Sequence, residues 1–69
     1  MAQGTVKWFN ATKGYGFIQP ESGGKDVFVH ISAVERAGLS RLDDDQKVSY
    51  DLEEDRRGRF SAVNIQLAD

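Results

Sequence analysis

Tyr15, Phe17, Phe28 and His30 occupy alternate positions in two short apolar runs, Lys13-Gly14-Tyr15-Gly16-Phe17-Ile18 and Val27-Phe28-Val29-His30-Ile31. Side chains alternate across a strand, so each run sorts its rings to one side and its aliphatics to the other. Val27, Val29 and Ile31 share a face opposite Phe28 and His30, and Ile18 falls opposite Tyr15 and Phe17. Pairing the two runs sets the four rings side by side, facing water. A contiguous apolar patch in water invites aggregation and is unusual without a binding role. Flat rings suit flat partners: each unpaired base of a single-stranded nucleic acid has a π-face, and stacking contributes ~1–3 kcal/mol per base with little demand on sequence. Lys7 and Lys13 flank the rings, where they would meet phosphates while the rings take the bases.

Other chemistry finds little support. There is one histidine and no cysteine, and no carboxylates stand at ligand spacing around His30. Metal binding and acid–base catalysis therefore lack their parts, no enzyme is expected and no cofactor is implied. Gly14 permits a tight turn with positive φ, and Gly16, between two rings, adds no side chain on the inner face. Neither is a phosphate loop, because no helix follows them. Competing uses of the rings are a second small core under a loop, a dimer contact, or a groove for proline-rich peptides. The peptide groove needs no flanking lysines or histidine in this arrangement, and competition between a peptide and an oligonucleotide would separate the two.

These residues need short strands to hold them. Alternation predicts strands over 4–10, 15–19, 26–31, 47–53 and 60–67. Ser22-Gly23-Gly24 makes a hairpin of the second and third, and Asp55-Arg56-Arg57-Gly58 turns the fourth into the fifth. Val48, Tyr50 and Leu52 share one face of the fourth strand. Val63, Ile65 and Leu67 share a face of the fifth, opposite Phe60. Ser32-Ala33-Val34-Glu35 fits a capping box for one or two helical turns, with Gly38 as a stop. The segment from Arg36 to Gln46 reads as a polar surface loop. Trp8 and Phe9 are adjacent, and parity with Val6 would bury Trp8 unless a bulge shifts the register. Five short strands of this kind suggest a small closed barrel, since closure removes exposed sheet edges.

A chain of 69 residues makes one domain, residues 1–69, with no disulfide to reinforce it. No apolar run is long enough to span a membrane and the N-terminus lacks the pattern of a secretory signal, so a cytoplasmic protein is expected. The net charge of −2 argues against gripping phosphates by bulk electrostatics. Residues 1–30 carry three lysines against two carboxylates, whereas 31–69 carry six basic and nine acidic groups. An anion-binding face is therefore expected in the first half.

Lys13-Gly14-Tyr15-Gly16-Phe17-Ile18 resembles the first ribonucleoprotein motif and Val27-Phe28-Val29-His30 the second. Together with Gly4-Thr5-Val6-Lys7-Trp8-Phe9-Asn10 they resemble the bacterial cold-shock protein family over essentially the whole chain. An RNA-recognition motif domain is excluded, because it carries the two motifs in the opposite order and needs two full helices. The resemblance implies a five-stranded antiparallel OB-fold barrel that binds single-stranded RNA and DNA. It further implies an RNA chaperone that traps unpaired strands and so influences transcription and translation. It places Lys7, Trp8, Lys13, Tyr15, Phe17, Asp26, Phe28 and His30 on the binding face, with Arg57 and Phe60 at its edge. Pyrimidine-rich strands and a monomeric state are expected, with no membrane or small-molecule partner. The chain departs from the family pattern at Ile31 and Leu39, where rings are common, and at Arg59, a frequent proline position. Phe60 stands where a polar or small residue is usual, which would shift the footprint toward the fifth strand.

Overall fold

The computed structural model describes residues 2–54 and 56–68. Five strands, β1 (Ala2–Asn10), β2 (Tyr15–Pro20), β3 (Val27–His30), β4 (Lys47–Glu54) and β5 (Phe60–Leu67), accompany one helix, α1 (Ile31–Arg36). The strands close into a barrel in the order β1-β2-β3-β5-β4. Four contacts are antiparallel, and β3 meets β5 in parallel through Phe28 and Ser61. The expectation of a wholly antiparallel barrel is corrected at that seam. Strands in a closed ring of five cannot alternate direction all the way round, so closure requires a parallel neighbour.

The interior is where the aliphatic faces meet. Val6, Ile18, Val27, Val29, Val34, Val48 and Tyr50 are buried, with Leu42, Ala62 and Ile65 completing the core. Gly23 and Gly24, both with positive φ, turn β2 into β3 as the hairpin requires. Gly58 has positive φ in the β4–β5 turn, whose Asp55 lies outside the described residues.

Three expectations are corrected. On β5, Val63, Ile65 and Leu67 do not share a buried face: Ala62 and Ile65 do. Ser49 pairs with Gln66 but Asp51 pairs with Val63, so one extra residue of β5 opposes Tyr50. Asn64 takes up the insertion with φ 52°, and its Nδ2 donates to Asp51 Oδ2 at 3.0 Å. A bulge of this type turns residues three apart to the same side. At the strand ends, Leu52 and Leu67 are each 50% exposed, because the barrel ends before it can cover them. Finally, the long connection is not wholly polar: Leu42 is 3% exposed and seals the core, with Leu39 packed beside it.

The helix starts two residues earlier than the capping box implies, and Ile31 belongs to it rather than to β3. His30, not Ser32, is the cap: its Nδ1 accepts from Ser32 N–H at 3.1 Å. The stop falls where expected, at Gly38 with φ 82°. Gly38 N–H donates to the Glu35 carbonyl and Leu39 N–H to the Val34 carbonyl, the paired bonds of a Schellman motif.

Tyr50 lies fully inside the barrel, and among the described residues its hydroxyl has no hydrogen-bond partner. A buried polar group without a hydrogen bond carries an uncompensated desolvation cost of ~1–3 kcal/mol. Tyr50→Phe is expected to stabilise the fold by about 1 kcal/mol, raising Tm by ~4–8 °C. Burial also raises the phenol pKa above its ordinary 10.0. The unfolded chain then ionises first, so this shift leaves stability unchanged below about pH 10 and lowers it as pH rises toward the folded value. Urea unfolding of both proteins at neutral and alkaline pH checks this; the variant should lose less stability above pH ~10.

Candidate nucleic-acid interface

The register of three adjacent strands assembles the rings. Trp8 of β1 pairs with Phe17 of β2, which pairs with Phe28 of β3. In a neighbouring row Asn10 pairs with Tyr15 and Tyr15 with His30. Between them lies the inward row Phe9, Gly16 and Val29. Rows on alternate sides of a pleated sheet therefore give one outer face carrying all five rings.

Trp8 reaches that face through a bulge. Val6 pairs with Ile18 and Trp8 with Phe17, so Lys7 and Trp8 together oppose one residue. Simple parity would have buried Trp8. The inserted residue turns it outward, 39% exposed, and rotates Phe9 onto the core. The connection before β4 secures the bulge: Asp45 N–H donates to the Val6 carbonyl at 2.7 Å and Val6 N–H to the Gln46 carbonyl at 2.8 Å.

The rings form one connected cluster. Trp8 meets Tyr15 and Phe17 edge-on at centroid distances of 5.6 and 5.4 Å, and Phe17 meets Phe28 edge-on at 5.9 Å. Tyr15 stacks on Phe28 at 5.8 Å, and Phe28 lies 6.4 Å from His30. These contacts leave Tyr15, Phe17 and Phe28 half-buried, less open to water than alternation alone implies. Edge-to-face packing fixes each ring by its neighbour while sparing π-surface for a ligand.

His30 is held by Ser32. The Ser32 amide can only donate, so Nδ1 must present its lone pair, and Ser32 Oγ also lies 2.9 Å from Nδ1. A neutral His30 in this arrangement carries its proton on Nε2, leaving that edge a donor. The role of Ser32 went unseen in the sequence, where it read as the helix cap itself.

The charged residues are placed unevenly. Lys7 Nζ donates to Asp26 Oδ2 at 3.0 Å, joining β1 to the residue before β3 in the row next to Trp8 and Phe17. Both side chains are substantially exposed, so this pair adds little to stability and opens at little cost. Lys13 lies exposed in the β1–β2 turn, where its amide donates to Asn10 Oδ1 at 2.9 Å and Gly14 follows with φ 83°. Arg57 is in the exposed β4–β5 turn, outside the ring cluster, and Phe60, 53% exposed, begins β5. Among the described residues no group of three or more His, Cys, Asp or Glu side chains is gathered as a metal would require. The site offers flat apolar faces, hydrogen-bond donors and two lysines.

The family model described as the 'Cold-shock' DNA-binding domain matches residues 2–68. The chain is 70% identical over 67 residues to a probable cold shock protein, y4cH, of Sinorhizobium fredii, covering 96% of this chain and 97% of that one. It is 59% identical over 69 residues to cold shock protein CspA of Rhizobium meliloti, covering 99% and 100%. Cold shock protein CspC of Bacillus subtilis is 57% identical over 68 residues, again covering 99% and 100%. With the closed five-stranded barrel and the ring face already in place, these matches show that the chain belongs to the cold-shock domain family, a family of nucleic-acid-binding domains.

Proposed function

We propose that the protein binds single-stranded RNA and DNA as a monomer in the cytoplasm and acts as an RNA chaperone, and through that influences transcription and translation. The observation that carries this reading is the continuous outer face of Trp8, Tyr15, Phe17, Phe28 and His30 across β1, β2 and β3. Bases stack on the rings, Lys7 and Lys13 meet phosphates, and Asp26 and the His30 Nε2–H supply polar contacts to base edges. Arg57 and Phe60 bound the face on the β5 side. Pyrimidine-rich strands suit it, since preferences on such a face come from stacking strength and from the flexibility of the strand's backbone.

The mechanism is thermodynamic. Bases paired in a duplex hide their faces, so the rings bind only the open form, and mass action draws a hairpin toward opening by the differential binding energy. No nucleotide hydrolysis is involved. A hairpin carrying a fluorophore and quencher at its ends should brighten as protein is added without ATP, and it should stay dark with a variant lacking Phe17 and Phe28 rings.

Salt dependence separates stacking from charge. Two or three phosphates neutralised at about −0.7 each predict a log–log slope near −1.4 to −2. A titration across several salt concentrations that returned a much steeper slope would refute a binding mode dominated by rings.

A further inference from the structure

One end of the barrel stays open as an apolar groove. Phe60 and Leu52 hang at its mouth, Phe17 and Phe28 form one wall, Tyr50 contributes to its floor and Lys25 stands at the rim. The groove encloses about 760 Å³, a size typical of sites for small organic ligands. Leu52 and Phe60 are each at least half exposed there, which does nothing for the stability of the free protein.

Local sequence builds this opening. Leu52 pairs with Ala62 and Glu54 with Phe60, so Leu52 and Phe60 sit on the inward side of β4 and β5, beyond the last covered layer. The β5 bulge at Asn64 sets that phase, because it brings Ala62 and Ile65 inward together and leaves Phe60 two residues before Ala62 on the same side. Phe17 and Phe28 therefore serve two surfaces. They belong to the ring face and also to the wall of the groove.

We infer that the groove receives one further unpaired base of the strand, the one that runs past Phe17 and Phe28 off the ring face. This rests on the nucleic-acid reading of that face. The occupant follows from continuity, since a strand lying on Phe17 and Phe28 has the groove as its next apolar surface. It follows also from shape and charge: walls of flat rings match a flat base, and Lys25 among the lining residues brings a positive charge for the adjoining phosphate.

The test is a ladder of oligothymidines lengthened one nucleotide at a time, titrated into the unchanged protein, Phe60→Ala and Leu52→Gln. Affinity of the unchanged protein should stop rising one nucleotide later than that of either variant. The final step should be worth about 5- to 150-fold, the range of one stacked base. Shorter ladder members should bind the unchanged protein and Leu52→Gln alike. In the unchanged protein, the Leu52 methyl resonances should shift only when that last nucleotide is added, which needs no variant to fold. Loss of the same factor at every length, or a common plateau, would overturn the groove while leaving the ring face standing. Failure of all lengths to bind the unchanged protein would overturn both. Concentration-dependent self-association abolished by Phe60→Ala would assign the groove to a second copy and overturn the inference.

Discussion

The variant Phe17→Ala/Phe28→Ala is expected to bind oligothymidine about 2–5 kcal/mol more weakly than the unchanged protein, a loss on the order of 30- to several-thousand-fold. Each ring removed is one stacking platform worth ~1–3 kcal/mol. The two rings touch, with centroids 5.9 Å apart, so their losses do not simply add and the upper end falls below the sum. Both are half-buried, so the variant also gives up some stability. Binding is therefore measured well below its unfolding transition, with circular dichroism checking the fold. A Lys13→Ala variant gives the contrast: an exposed lysine should cost little and mainly flatten the salt dependence. Unchanged affinity in the double variant would remove the rings from the mechanism.

The largest effect on the fold should come from Gly16→Ala. A Cβ at this position would stand 2.8 Å from both Cα and Cδ1 of Phe9, and closer still to the Trp8 carbonyl oxygen. The first and last of these are backbone atoms held by the β1–β2 ladder, so they cannot step aside. Overpacking of a core costs ~1–3 kcal/mol, and more where backbone must move. Set against a stability of ~3–10 kcal/mol for a chain of this length, the variant should lose roughly a third or more of its stability. The urea midpoint measures it. Gly23→Asn is the comparison: among the described residues nothing lies within 4 Å of a Cβ there, so asparagine, one of the side chains that best accept positive φ, should incur only the backbone strain of φ 89° and shift the midpoint far less. A Gly16→Ala protein with an unshifted midpoint would show that β1 and β2 do not approach as described.

Gly16 also shows why the site could be seen in the sequence. Its neighbours Tyr15 and Phe17 alternate with Gly16 and Ile18, a period of two that needs only a regular strand to be read. The same holds for Val27 to His30, so the ring face and the aliphatic core behind it followed directly from parity. Where the backbone inserts a residue, parity fails. The insertion at Lys7 reverses Trp8 and Phe9, and the insertion at Asn64 reverses Ala62 and Val63. A bulge is set by cross-strand partners, such as the Asp51–Asn64 hydrogen bond, and by the loop amides that bind Val6. None of these is adjacent in the chain.

Leu42 and Leu52 were hidden for a different reason. Whether an apolar residue is covered depends on where the barrel ends and which loop crosses it, which is a property of the closed object. Leu42, amid Arg41 and three aspartates, had no periodic company and still fills the core. Leu52, in phase with Val48 and Tyr50, lies at the open mouth. The parallel β3–β5 seam belongs with them, since it follows from the number of strands and not from either strand's residues.

If the rings bind unpaired bases, Trp8 reports on it from within the cluster. Single-stranded oligothymidine and a duplex of equal length should each be titrated into the protein at two salt concentrations while Trp8 fluorescence is followed. Strong quenching by the single strand, weakened only modestly by salt, and none by the duplex is the expected result. Equal binding of the duplex, or single-strand binding that collapses at the higher salt, would contradict it.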